Sequence, residues 1–367
     1  MTRILLNGFQ IGNLSGTGRY TEELIKVLIN IPEKLHILLP ASKSLSISSD
    51  KLTVKHLPNN RYITRFLQSF LLKKYFKEFQ PDIVHYPATY GYKLGDVPHI
   101  TTVHDLAFLE NPHWFPIHYQ WFYKKRVEET IKFSQRIITD SFFSGKEIQK
   151  HYSIDKDKID VIYLGVSDFF KPQTQQQIEM IKNKYKLPPK YVLYAGTLEP
   201  RKNIPSLIEA WSNIANKIHN DLVIIGRAGW KTDTIEQSIN KSKYKERIHR
   251  LGYISDKDLP VIISGADIFI YLSFYEGFGL PPLEAMSCGT PVIASNCGSL
   301  HEILGDKALL VDPYNIQQIA ESIYYLCEDN TKRQEMSQNG IVYANNFTWE
   351  KTAQKTLETY KKCLDKY

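Results

Sequence analysis

A doubly wound α/β architecture in two domains is what this sequence predicts, and three observations carry the prediction. Short β-branched runs alternate with amphipathic segments through all 367 residues, the order that builds parallel sheets covered by helices. The length suits two domains of about 100–200 residues each. The alternation breaks once, in a proline-marked polar stretch at residues 170–189, and then restarts. The domains are therefore placed at residues 1–170 and 171–346, with residues 347–367 as a terminal helix expected to pack back on the first domain.

In the first domain the apolar runs fall at residues 4–6, 37–40, 53–57, 83–86, 100–103, 137–139 and 159–164. Each is short and bounded by turn formers, as buried strands are. Between them, residues 21–28, 64–79, 118–133 and 145–152 show helical spacing. The last has a start signal: Ser144 with Glu147 three residues on reads as a capping box. Lys171-Pro172 then opens a glutamine-rich run that Pro188-Pro189 closes, and this reads as linker. In the second domain strands are expected at residues 191–195, 222–225, 248–252, 268–272, 291–294 and 308–311. Helices are expected at residues 204–218, 233–242, 256–264, 282–287, 315–328, 332–344 and about 350–366. Two Rossmann-like sheets of this kind are expected to face a central cleft between their strand C-terminal ends, where open α/β sheets bind ligands.

Composition narrows the function. Apolar residues make up 43% and charged residues 23%, which excludes an intrinsically disordered chain. The net charge is +7, and 22 basic against 17 acidic residues in positions 1–170 put most of the excess in the first domain. A moderate basic bias suits an anionic ligand or an anionic membrane surface. It is too diffuse for nucleic acid, which calls for a basic stripe or block. Cys288, Cys297, Cys327 and Cys363 form no C-x-x-C pair, so buried reduced thiols are expected rather than disulfides or a zinc site. The first residues lack the apolar core and cleavage site of a signal peptide, and no uncharged apolar run approaches the length of a membrane span. The chain reads as cytoplasmic.

The segment richest in chemistry is Tyr275-Glu276-Gly277-Phe278-Gly279-Leu280-Pro281-Pro282-Leu283-Glu284, directly after the expected strand at residues 268–272. The glycines free the backbone for close ligand approach. The prolines suit a first helical turn. Strand, glycine loop and helix start then turn backbone amides toward a phosphate. Glu276 is placed in the loop and Glu284 in the first helical turn, where each carboxylate can accept hydrogen bonds from sugar hydroxyls. Alone, Glu284 equally fits a helix-start acid favoured by the dipole.

This segment resembles the E-x7-E motif of retaining GT-B glycosyltransferases of family four. Three further blocks occur in the family's order: Thr102-Val103-His104-Asp105-Leu106, Gly196-Thr197-Leu198-Glu199-Pro200-Arg201-Lys202-Asn203 and Gly289-Thr290-Pro291-Val292. The second is similar to mannosyltransferases that use GDP-mannose in surface-polysaccharide assembly. The resemblance spans nearly the whole chain. It implies a GT-B fold and transfer of a hexose, mannose by the spelling of that block, from a nucleotide sugar to a glycan or lipid-linked acceptor. Configuration is retained, and neither metal nor organic cofactor takes part. A sugar-nucleotide epimerase of the same fold and a non-catalytic sugar-binding protein are the alternatives. The complete loop with Arg201, Lys202 and His104 argues against both.

The resemblance also assigns roles. Arg201 and Lys202, two cations at a strand end, neutralise the leaving diphosphate. By themselves they would read as a solvated surface pair. Thr197 stands where many family members carry an arginine, so either one cation is missing or Arg201 replaces it. His104 lies against the donor sugar and eases positive charge at the anomeric carbon, while Asp105 is structural. Gly16 and Gly18, in the turn Gly12-Asn-Leu-Ser-Gly16-Thr-Gly18-Arg19-Tyr20, lie near diphosphate and acceptor. Gly226, Arg227, Tyr253 and Ile254 flank the base and ribose.

Asp155-Lys156-Asp157 and Asp256-Lys257-Asp258 have a metal-binding look but sit in expected turns and helix starts, and read as solvated acids. Finally, Ile63, Phe66, Leu67, Phe70, Leu71 and Phe79 recur near helical spacing beside Arg65, Lys73, Lys74 and Lys77. A basic amphipathic helix can lie on the inner face of a membrane, and this one is a candidate for such peripheral contact. Packing on its own sheet is the commoner fate of an α/β helix.

Overall fold

The computed structural model describes residues 1–12, 16–41, 48–58 and 61–365. They form two compact units. The first holds Met1–Pro112, Ile117–Gly165 and Thr348–Tyr367; the second holds His113–Pro116 and Val166–Phe347.

The first unit runs β1 (Thr2–Leu6), α1 (Gly16–Leu28), β2 (Leu35–Ala41), β3 (Leu52–His56), α2 (Arg61–Phe79), β4 (Ile83–Tyr86) and β5 (His99–Thr102). It continues through α3 (Ala107–Glu110), α4 (Ile117–Phe133), β6 (Arg136–Thr139), α5 (Phe142–Tyr152) and β7 (Ile159–Val161). Its seven strands lie in the order β3-β2-β1-β4-β5-β6-β7, and the pairs are parallel, with Ile4 opposite Ile37 and Ile83. Strands covered on both faces must be apolar throughout, and Ile4, Leu5 and Leu6 are fully buried. Leu5, Leu38, Val84 and Tyr86 form a core with Leu72 of α2, and Phe133 of α4 packs against it.

The second unit runs α6 (Gln175–Tyr185), β8 (Tyr191–Ala195), α7 (Ile204–Ser212), β9 (Asp221–Ile225), α8 (Asp233–Lys241), β10 (Ile248–Gly252), α9 (Leu259–Ser264) and β11 (Ile268–Tyr271). Then come α10 (Leu280–Ser287), β12 (Val292–Ser295), α11 (Ser299–Leu304), β13 (Leu309–Val311), α12 (Ile316–Glu328) and α13 (Asn330–Ala344). The parallel order is β10-β9-β8-β11-β12-β13. In both units the chain winds outward from its first strand and then jumps to that strand's other side. The crevices beside β1/β4 and β8/β11 are therefore topological switch points.

Last comes α14 (Trp349–Leu364), which belongs to the first unit. It buries Thr352, Ala353, Thr356, Leu357, Tyr360 and Cys363. His85 Nδ1 lies 2.7 Å from the Tyr360 hydroxyl, and the Thr352 hydroxyl donates to the Tyr163 carbonyl at 2.8 Å. Burial pushes the His85 ring down to about 3, so it is neutral.

Several expectations change. The 170–189 stretch contains α6, whose Thr174 and Gln177 form a reciprocal capping box that makes the glutamine run helical. The chain changes unit after Gly165 and after Phe347, a few residues from the expected 170/171 and beside 346/347. Helix α5 begins at Phe142 on the cap Ser141, whose side chain accepts from the Ser144 amide; Ser144 is inside the helix and caps nothing. The helix expected to reach 218 stops at Ser212, and the one expected from 256 begins at Leu259. Asp258 is buried rather than solvated, bound by Lys184 Nζ and the Tyr185 hydroxyl at 2.7 Å each, and so anchors α6. Asp155 caps a turn by accepting from the Asp157 amide. Cys288 and Cys363 are buried, Cys297 and Cys327 half-buried, and all four are free.

Candidate active site

The expected donor residues of the second unit all fall at the C-terminal edge of its sheet. Gly252, Tyr253 and Ile254 end β10, Gly226 and Arg227 end β9, and the 196–202 block leaves β8. The Glu276 loop leaves β11. The β8 and β9 ends approach backbone to backbone. Gly196 donates to the Ile225 carbonyl at 3.0 Å, and Gly226 to the Gly252 carbonyl at 2.8 Å. A Cβ on Gly226 would meet the Gly196 carbonyl oxygen at 1.8 Å, and its φ of +155 already favours glycine. Ile254 is buried, Tyr253 and Arg227 are exposed, and Thr197 is half-buried.

After β8 a tight turn, Pro200–Lys202, and Asn203 in the left-handed region set Arg201 and Lys202 just ahead of α7. Lys202 is 5% exposed. Its Nζ donates to the Tyr271 hydroxyl at 2.6 Å and to Glu276 Oε1. Arg201 Nη1 donates to Glu276 Oε2 and to the Tyr275 carbonyl, each at 3.0 Å, and Nε donates to Glu199 Oε1 at 2.7 Å. Burial alone would raise the Glu276 carboxyl, but Arg201 and then Lys202 outweigh it and hold it at about 2. Glu276 is thus a carboxylate shared by two cations at the β8/β11 switch point. Neither Arg201 nor Lys202 is the solvated pair that their adjacency alone suggests.

The backbone that carries Glu276 is pinned. Its carbonyl accepts from the Ser299 hydroxyl at 2.9 Å and from the Ser299 amide at 3.3 Å. Gly277 is buried, Phe278 is buried with its ring 6.1 Å from Phe347, and Gly279 at φ +100 turns the chain into α10. Helix α10 starts at Leu280, two residues before the expected start. Glu284 therefore lies in its second turn, buried, and is not an exposed first-turn acid. Phe274, just before the loop, stacks between Trp114 at 6.1 Å and Tyr314 at 4.8 Å.

In the first unit, His104 follows β5 and Asp140 follows β6. His104 Nδ1 lies 2.6 Å from Asp140 Oδ2, and Nε2 lies 2.9 Å from the Pro87 carbonyl. Both partners are acceptors, and a ring donating from both nitrogens is an imidazolium. Burial would lower this ring; Asp140 outweighs it and holds it above its ordinary value. The ring expected against the donor sugar thus sits at the C-terminal end of β5, held between two oxygen acceptors. Asp105 accepts from the Ala107 amide at 3.2 Å, a structural task. Gly16 and Gly18 lie in the first turn of α1 rather than in the expected turn before it, and residues 13–15 of that block lie outside the described residues.

Sequence reasoning missed Glu199, Tyr271 and Asp140. Glu199 sits two residues before Arg201, and Asp140 is an acid at a strand's C-terminal end as His104 is a base at one; both were available signals. Tyr271 lies inside an apolar strand and gave none. Among the described residues, Glu110, Glu147 and His151 bring metal-capable atoms together, and the Lys150 ammonium lies 3.1 Å from Glu110 and 3.5 Å from Glu147. No described helix is long and apolar enough to cross a membrane.

Comparison with known proteins agrees with this geometry. The model of "Glycosyltransferase Family 4" matches residues 14–168, and that of "Glycosyl transferases group 1" matches residues 175–343. O-antigen chain mannosyltransferase B of Escherichia coli is 32% identical, over 95% of this chain and 96% of that protein. O-antigen chain mannosyltransferase RfbU of Salmonella typhimurium is 30% identical, over 60% of this chain and 62% of that one. The structure of sucrose-phosphate synthase from Thermosynechococcus elongatus superposes with a TM-score of 0.81 at 20% identity, covering both chains fully, and so shares the fold. With the two parallel sheets and the Arg201–Lys202–Glu276 cluster at a switch point, these matches place the chain in glycosyltransferase family 4, the group 1 glycosyl transferases, as an enzyme of GT-B fold.

Proposed function

We propose that this enzyme transfers mannose, with retention, from a nucleotide sugar to a glycan or lipid-linked acceptor in surface-polysaccharide assembly, and that the donor is GDP-mannose. The names of the two curated relatives support the sugar and the setting. The observation that carries the reading is Glu276 bridging Arg201 and Lys202. A diphosphate at this switch point meets a buried pair of cations, one planar and one a point charge. The carboxylate they release is free to accept hydrogen bonds from sugar hydroxyls.

In the reaction the bond from the anomeric carbon to the diphosphate oxygen breaks. The acceptor oxygen bonds to the same face of the sugar, and its proton passes to the departing diphosphate. Arg201 and Lys202 stabilise the leaving charge, so the chain supplies positioning and electrostatics rather than a nucleophile. No metal is invoked. Glu284 holds the ribose, and Arg227, Tyr253 and Ile254 flank the base. The localisation that goes with this reading is cytoplasmic, at the inner membrane face when the acceptor is lipid-linked; four free cysteines suit a reducing compartment.

The test is transfer over a panel of sugar nucleotides, with the anomeric configuration of the product read by NMR. Transfer from GDP-mannose giving the donor's own configuration is expected. Preference for another sugar nucleotide overturns the donor, and inversion overturns the mechanism.

A further inference from the structure

Three aromatic rings of the second unit lie in one column beside the cation pair. Phe274 stacks on Trp114 with 8° between the ring planes and on Tyr314 with 24°. Trp114 comes from the His113–Pro116 stretch that belongs to this unit. Trp114 and Phe274 are half-buried. Tyr314 is 72% exposed although Phe274 covers one of its faces, so its other face is in water. A ring of this size adds most to stability when buried, and here the sequence leaves one out. The turn does not require it. Asp312 closes the turn by accepting from the Tyr314 amide at 2.9 Å, and Asn315 caps α12 by accepting from the Gln318 amide at 3.0 Å.

The column is built off the residues that carry the cations. The Phe274 amide donates to the Arg201 carbonyl at 2.8 Å, and Asn203 Nδ2 donates to the Pro313 carbonyl at 2.8 Å. Both rings are thus positioned by the block that holds Arg201 and Lys202. Trp114 is fixed from its other side: its carbonyl accepts from Trp230 Nε1, and the His113 carbonyl accepts from Lys231 Nζ at 2.6 Å. The place along the sheet matters as well. Tyr314 follows β13, two strands from β11 on the side away from β8. Arg227, Tyr253 and Ile254 follow β9 and β10, on the other side of β8. A donor with its base there and its diphosphate on Arg201 and Lys202 leaves the β13 side to the acceptor.

We infer that the open face of Tyr314 is a subsite for the acceptor glycan, taking a pyranose ring that lies behind the sugar whose hydroxyl is glycosylated. A pyranose presents C–H groups on one face and hydroxyls around its rim. The C–H face can lie on the electron-rich face of an aromatic ring and lose its water, while the hydroxyls stay in solvent. The sugar then forms the fourth layer of the column. A ring backed by two others, on a turn tied at both ends, meets the sugar with little left to order. The occupant rests on the transfer reading above. What is added is that the length of the acceptor is sensed, beyond its terminal sugar, and by the same unit that holds the donor.

The probes are linear α-linked mannose oligosaccharides of one to four residues, since the product of the proposed reaction ends in mannose. Their binding to the full chain is followed by saturation-transfer NMR titration. The wild type should bind the longest probe about threefold to tenfold more tightly than the single sugar, the range of one stacked ring pair. Tyr314→Ala should lose that gain and melt near wild type, because the ring is exposed. Tyr314→Phe should keep it, because the face binds and the hydroxyl does not. GDP, titrated separately, should bind Tyr314→Ala as it binds the wild type. Length-independent binding by the wild type overturns the inference, as does a full gain in Tyr314→Ala. So does weakened GDP binding by Tyr314→Ala, which would give the ring to the donor. Transfer from GDP-mannose, assayed in parallel, keeps the two readings apart. No transfer with the Tyr314 length effect intact removes the reaction and upholds the subsite; transfer with no Tyr314 effect removes the subsite alone.

Discussion

Replacing Glu276 with glutamine keeps the shape of the side chain and removes its charge. The carboxyl is held at about 2 against an ordinary 4.5. That shift corresponds to about 3 kcal/mol of preference for the charged form at about 1.4 kcal/mol per unit. In the ligand-free protein Glu276→Gln leaves Arg201 and Lys202 buried beside a neutral amide, so stability should fall by about 3 kcal/mol. For a unit of this size that is about 6–12 °C in Tm. The sign with pH follows from a lowered carboxyl: the wild-type contribution is full above about pH 4.5 and disappears as the pH falls toward 2. Ligand binding should move the other way. In the wild type a diphosphate competes with Glu276 for the two cations; in Glu276→Gln it does not. Inorganic pyrophosphate should therefore bind the variant about 10- to 100-fold more tightly, while kcat for transfer falls about 100-fold or more. Thermal melting with and without pyrophosphate, beside calorimetric titration, measures both. Unchanged Tm together with unchanged or weaker pyrophosphate binding would refute the shared carboxylate.

Lys202→Ala should lower kcat/KM about 10²- to 10³-fold, measured well below the variant's own Tm; near wild-type transfer would remove Lys202 from the diphosphate site. Transfer should persist in excess chelator, and a complete loss restored by Mg²⁺ would show that the cationic side chains do not suffice. Asp140→Asn should lower the His104 ring, because burial is then opposed only by the Pro87 carbonyl and Asp105, and NMR titration of the ring protons reads this directly. The same pair should stabilise the wild type fully below about pH 6.5 and cease to do so as the pH rises through the raised His104 value. A flat stability profile through that range would separate His104 from Asp140.

Much of this was legible in the residues. Buried parallel strands are near-continuous apolar runs, and β4 and β8 begin and end where their runs do. Glu276 announced itself by its glycines and prolines, which are local signals. What the chain does over long separations was not legible: Lys202 meets Glu276 across 74 positions, and Asp258 meets Lys184 across 74 as well. A helix start at Gly16 was hidden because glycine is a poor helix former whose presence reads as a turn. The glutamine run of α6 was hidden because its face toward the core is narrow, with Ile178 its one buried residue, so its capping box was the better guide. Exposure of Phe66 and Phe70 was likewise beyond reach, since apolar spacing alone does not say which face finds a partner.

The place of α14 bears on how the protein is made. His85 and Tyr360, bonded in the core of the first unit, are separated by 275 positions. Residues 1–165 therefore leave the ribosome without the helix that closes one side of their sheet, and the surface around Tyr20 and His85 stays open while the next 182 residues, Val166–Phe347, are synthesised. Those residues form a unit that, but for the short His113–Pro116 stretch already made, is contiguous, and it can assemble as soon as it emerges. Maturation thus inverts the order of translation: the second unit is complete before the first, and the first is sealed by residues made after the second.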